Sequence, residues 1–80
     1  MRQTFTFDQG GRYWYEIVFD DLWEKDVVDI RCYTRNNSEY CYEFFHIVNG
    51  AINWKNYPSS LLTNEVKQFA EKVVKLRGFR

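Results

Sequence analysis

His46, Cys32 and Cys41 are the side chains of this sequence best suited to covalent or metal chemistry, because imidazole and thiol groups can donate a lone pair near neutral pH. A cysteine–histidine nucleophile needs both groups within hydrogen-bond reach. Cys41 and His46 are five positions apart on one predicted strand and so point to opposite faces. Cys32 is expected to share a face with His46, but opposite Tyr42, on the order of 13 Å from the imidazole. His46 therefore reads as a sheet-edge or partly buried imidazole. Zinc needs four ligands, and His46, Cys32 and Cys41 supply three scattered ones. The two cysteines are expected as diagonal neighbours with side chains on opposite faces, which conflicts with disulfide geometry, so both are expected as free thiols.

Asp20, Asp21, Glu24 and Asp26 lack the alternating acidic ligands, glycine and distal glutamate of a calcium loop, and read as a solvated turn. Gly10-Gly11 leads into a strand rather than a helix, without a lysine and hydroxyl after it, and so is turn punctuation rather than a phosphate cradle. No cofactor and no metal are expected, and an enzyme is not.

The elements that must position these residues are limited by length. Eighty residues allow one domain over 1–80 with one modest core. Hydrophobic residues at 45% and charged residues at 28% mark a globular chain, and the aromatic share of 20% is its unusual feature. No run approaches the ~20 apolar residues of a membrane helix, and the N-terminus carries no apolar signal stretch. Two cysteines are too few for a stapled mini-protein, so a reducing, cytoplasmic setting is expected.

The first two-thirds reads as β: Thr4–Asp8, Arg12–Asp20, Val27–Arg35, Glu39–Val48 and Ala51–Tyr57, rich in aromatic and β-branched residues. Asn49-Gly50 between two apolar runs signals a type I′ hairpin. A three-residue loop Gln9-Gly10-Gly11 sets Phe7 against Tyr13 and Phe5 against Tyr15, on the side of Ile17 and Phe19. A three-residue loop Asn36-Asn37-Ser38 pairs Arg35 with Glu39 and Arg31 with Glu43, and on the other side Ile30 with Phe44 and Cys32 with Tyr42. A one-residue slip, which would set Ile30 against Glu43, is disfavoured.

The last segment reads as a helix with an apolar stripe of Leu62, Val66, Phe69, Val73 and Leu76, widened by Ala70. Ser60 or Thr63 is its N-cap, and Lys67–Glu71 and Glu71–Lys75 are its solvent-side pairs. The fold expected is α+β: an antiparallel β-meander of four to five strands with one C-terminal helix on one face. Its core includes Phe5, Phe7, Tyr15, Ile17, Phe19, Ile30, Val66, Phe69, Val73 and Leu76.

The fourth strand is apolar on both sides, and one helix covers only one face of a sheet. The uncovered side either is closed by the acidic loop with Leu22 and Trp23, or is an outward aromatic contact surface carried by Tyr40, Tyr42, Phe44 and Trp54. Residues 16–29 carry six acids against one lysine, and residues 55–80 six bases against two acids. The acidic segment, with Asp20, Asp21, Trp23, Glu24, Asp26 and Asp29, is expected to face a basic partner groove. The other class of reading is a nucleic-acid interface built from Lys72, Lys75, Arg77 and Arg80 with sheet aromatics, which the zero net charge and the interrupting Glu65 and Glu71 disfavour. A third is a homodimer closed over the open face.

In size and layout the chain resembles the small inhibitors encoded by phages and other mobile elements, anti-CRISPR proteins among them. The likeness rests on shortness, abundant aromatics, missing active-site chemistry and the acidic patch, and small bacterial immunity proteins share that profile. The resemblance implies a non-enzymatic module that binds another protein or a nucleoprotein complex and blocks a host nucleic-acid-processing machine by surface contact.

Overall fold

A computed structural model describes residues 2–20, 26–54 and 62–77. Five strands, β1 (Arg2–Phe7), β2 (Tyr13–Asp20), β3 (Val27–Thr34), β4 (Glu39–Val48) and β5 (Ala51–Ile52), precede one helix, α1 (Asn64–Arg77). The strands form one antiparallel meander in chain order, and α1 packs on one side of it. This is the expected α+β architecture. β5 is shorter than the expected Ala51–Tyr57: it ends at Ile52, and residues 55–57 lie outside the described residues. No helix among the described residues is long and apolar enough to cross a membrane.

The β1–β2 hairpin keeps the expected side but not the expected pairs. Phe7 lies opposite Tyr15 and Phe5 opposite Ile17, two residues from the tight-loop register, so the connection is longer and Gly10 takes a φ of 79° within it. A two-residue shift preserves which side each residue faces, so Phe5, Phe7, Tyr15, Ile17 and Phe19 still share the helix side. The Asp8 carboxylate accepts the Gly10 N–H at 2.8 Å and an Arg35 Nη2 bond at 2.7 Å, tying this loop to the β3–β4 turn.

The β3–β4 hairpin overturns the expected register. The turn closes one residue early: Thr34 N–H donates to the Ser38 carbonyl at 3.0 Å, and Asn37 N–H to the Thr34 carbonyl at 2.9 Å, with Asn37 left-handed at φ 66°. Asparagine tolerates that conformation better than most residues because its short amide can bond locally. Tyr33 then pairs with Glu39, and an irregularity next to Cys32 admits one extra residue on β4 before Cys32 pairs with Cys41. From there Ile30 lies opposite Glu43, the slip that was disfavoured. The whole strand is turned over: Tyr42 and Phe44 join Arg31 and Asp29 on the side away from the helix, and Cys41, Glu43, Phe45 and Ile47 join Ile30 and Cys32. Packing explains the outcome. Phe45 and Ile47 must meet Ile52 and the helix, and the bulge rotates them there. The expected Arg31–Glu43 and Arg35–Glu39 pairs give way to Arg31–Glu39 at 3.5 Å, Arg31–Asp29 at 3.2 Å and Arg35–Asp8.

The Asn49-Gly50 turn forms as expected, with both residues at positive φ (53° and 81°) and Ile47 opposite Ile52. Thr63 is the N-cap: its Oγ1 accepts the Val66 N–H at 3.4 Å, and Ser60 lies outside the described residues. The buried stripe of α1 is Val66, Ala70, Val73 and Val74, with Leu62 preceding it and Phe69 half-buried at its margin. Leu76, expected in the core, is 74% exposed. The arc that faces the sheet is centred on Ala70 and continues to Arg77, whose guanidinium lies 4.5 Å from the centre of the Phe19 ring. Leu76 falls outside that arc. Glu71 turns toward the sheet, where it accepts the Ile52 N–H at 3.1 Å.

Candidate interaction surface on the sheet face

The open face of the sheet alternates with the core. Moving across the strands, Thr6, Glu16, Arg31 and Tyr42 form one row, and Thr4, Val18, Asp29 and Phe44 the next. Val18 is 3% exposed on this face, whereas Tyr42 and Phe44 are 56% and 62% exposed. The face thus buries Val18 of β2, leaves Trp14, Glu16 and Asp20 half-buried, and exposes the rings of β4. Fixed contacts set its geometry. Trp14 stacks on Tyr33 at 4.4 Å between ring centres and donates its Nε1–H to the Thr34 carbonyl. The Tyr33 hydroxyl donates to Glu16 Oε1 at 2.7 Å, and the Arg31 guanidinium lies 5.5 Å from the centre of the Tyr42 ring. His46 meets Phe44 edge-on. Rings held this way present area with little ordering left to lose on binding.

Of the expected aromatic surface, the structure brings Tyr42 and Phe44 together. Tyr40 is exposed, but its ring packs 5.2 Å from that of Tyr13, on the helix side of the sheet, because the bulge points two successive β4 residues the same way. Trp54 is also on the helix side, half-buried against Phe45. Neither belongs to the open face.

Of the expected acidic patch, Asp21, Trp23 and Glu24 lie outside the described residues, as does Leu22. Asp26 is exposed, and Asp20 and Asp29 are half-buried on the open face. Burial raises the Asp29 carboxyl above its ordinary range despite the Arg31 guanidinium beside it. Counting the open face row by row, Glu16, Asp20, Asp29 and Glu39 stand against Arg2 and Arg31, so the described face is acidic.

The basic residues are elsewhere. Lys72 and Lys75 are exposed on α1, where they line a shallow groove with Trp54, Lys67 and Glu71. Arg77 is drawn onto Phe19 and donates to Gln3, and Arg80 lies outside the described residues. Helix lysines and exposed sheet rings are on opposite sides of the molecule, so they do not make the combined phosphate-and-base site that a nucleic-acid reading requires.

The residues first considered for catalysis separate further than expected. His46 is exposed on the open face, whereas both cysteines are on the helix face, so Cys32 does not share a side with the imidazole. Cys32 and Cys41 are directly opposite each other rather than diagonal, both as free thiols. Burial first, then the neighbouring Cys41, pushes the Cys32 thiol up to about 11, and burial raises Cys41 too. These are poor nucleophiles at neutral pH. Among the described residues, no three His, Cys, Asp or Glu side chains converge on a position that could hold a metal ion.

Glu43, expected opposite Arg31, lies opposite Ile30 instead and is not among the residues expected to form a site. It ends the helix-side row Phe5, Ile17, Ile30 at the β4 edge. The signal available was the glutamate at the centre of an otherwise apolar run, Tyr40-Cys41-Tyr42-Glu43-Phe44-Phe45. Comparison with protein-family models, curated proteins and solved structures returns no match.

Proposed function

We propose that this chain is a non-enzymatic protein-binding module whose contact surface is the β4 half of the open sheet face. The observation that carries the reading is the exposure of Tyr42 and Phe44, two rings on neighbouring rows of a face that buries Val18 of β2. Exposed rings framed by fixed polar contacts are characteristic of interface anchors. The acidic residues around them, Glu16, Asp29 and Glu39, suit a partner surface that is basic as well as partly apolar. A surface evolved to hold nucleic acid has that character, and blocking such a surface in a nucleic-acid-processing complex is the activity this reading assigns. The resemblance to small mobile-element inhibitors points the same way.

The test compares proteins retained from native-host lysate by the wild type, by a Tyr42→Ser/Phe44→Ser variant and by a Lys72→Ala/Lys75→Ala variant. A protein kept by the first and third, lost by the second and indifferent to nuclease supports the reading. Retention that survives loss of both rings, disappears with nuclease, or is absent altogether overturns it.

A further inference from the structure

Among the described residues, nothing pairs with the far edge of β4 in the middle of the strand. β5 pairs, among the described residues, with Ile47 and Val48, and beyond them the Asn53 N–H donates to the His46 carbonyl at 2.9 Å. On the β3 side, Ile47 N–H donates to the Asp26 carbonyl at 2.7 Å. Antiparallel ladders alternate, so the residues whose N–H and C=O groups point to β3 are Ile47, Phe45 and Glu43. Those pointing outward are His46, Phe44 and Tyr42. His46 is met by Asn53; among the described residues, Phe44 and Tyr42 are met by nothing. An edge with two consecutive outward pairs and exposed side chains is a template for another strand.

Glu43 lies between them on the helix side. Among the described residues no ion pair reaches it, and burial raises its carboxyl. In an added antiparallel strand, the residue opposite Glu43 occupies a non-hydrogen-bonded position, where side chains stand closest.

We propose that the edge of β4 at Tyr42–Phe44 accepts an extended segment of a partner protein as an additional strand, with a lysine or arginine of that segment opposite Glu43 and apolar residues beside it. This rests on the protein-binding reading and specifies how the partner is held. Charge argues against a second copy as the occupant. Glu39 and Glu43 are the only formally charged residues of β4, and self-pairing would bring two copies of each into one seam.

The test is an amide chemical-shift titration with short acetylated peptides that alternate valine with lysine or valine with glutamate. The lysine peptide is expected to shift the Tyr42 and Phe44 amides and to bind up to about fivefold more tightly than the glutamate peptide. Glu43→Lys is expected to invert that order. Phe44→Pro removes an outward N–H that no bond among the described residues uses, which an edge strand tolerates. It should weaken binding roughly tenfold relative to Phe44→Val. Unmoved Tyr42 and Phe44 amides, indifference to the peptide's charge, or equal binding by the proline and valine variants overturns the proposal. Movement of the same amides on raising protein concentration without peptide also overturns it, in favour of self-pairing. The two readings fail separately, because Tyr42→Ser/Phe44→Ser keeps both outward N–H groups: a lysate partner lost by that variant, with no peptide titration, leaves the face reading standing and removes the edge.

Discussion

Cys32 and Cys41 stand opposite each other on β3 and β4, with Tyr15 next in the same row across β2. Desolvation governs all three groups, ahead of their mutual interactions.

Thiol reactivity should follow burial. At neutral pH the thiolate fraction of Cys32 is on the order of one in ten thousand. Cys41, only half-buried, should take up iodoacetamide first, and Cys32 should react at the rate of unfolding. Mass spectrometry of the time course decides this, and equal rates at the two positions would contradict the burial argument.

Alkali should destabilise the fold through the same row. The Cys32 thiol is raised from 9.0 to about 11, and the Tyr15 hydroxyl from 10.0 to about 12. Above the unfolded values, the unfolded chain releases protons that the folded chain retains, so stability falls as pH rises. The contribution is intact below pH 9.0 and declines by about 1.4 kcal/mol per pH unit per group until the folded value is passed. Urea melts between pH 8 and 11 should show the decline, and Cys32→Ser should remove its lower part.

Val74 and Leu76 test the rotation of α1. Val74→Ala should cost about 2 kcal/mol, since the side chain is fully enclosed, and Leu76→Ala should change stability by less than about 0.5 kcal/mol. The reverse order in chemical denaturation would place the helix on its originally expected stripe.

Asn37 tests the turn that sets the β4 register. Asn37→Gly should be nearly neutral, and Asn37→Val should cost about 1–2 kcal/mol because a branched side chain resists a φ of 66°. Similar melting curves for the two variants would mean that the turn does not hold this conformation.

Much of the architecture was legible in the sequence. Asn49-Gly50, the alternation through β2 and the helical period after Thr63 each specify local geometry, and local geometry is what residue types encode best. The faces of β4 were not legible, because Tyr42, Phe44, Phe45 and Ile47 make either side of that strand plausible as core. A single inserted residue decides between the two, and the strand is fixed by packing with Ile52 and with helix residues distant in sequence. The same ambiguity hid the opposition of the two cysteines and the placement of Glu43. Exposure at Tyr42 and Phe44 was anticipated from the surplus of apolar surface, though on the opposite side from the one expected.

Because strand order equals chain order, each strand finds its partner in the segment just completed. Few loops must close over long distances before contacts reward them, which places the chain toward the fast end for a sheet protein of its size. The longest closures are made by the helix, as in the Phe7–Phe69 ring contact and the clasp between Arg77 and Gln3, which joins the last turn of the helix to the first strand. Vectorial synthesis would thus let the meander assemble progressively, with helix docking as the closing event.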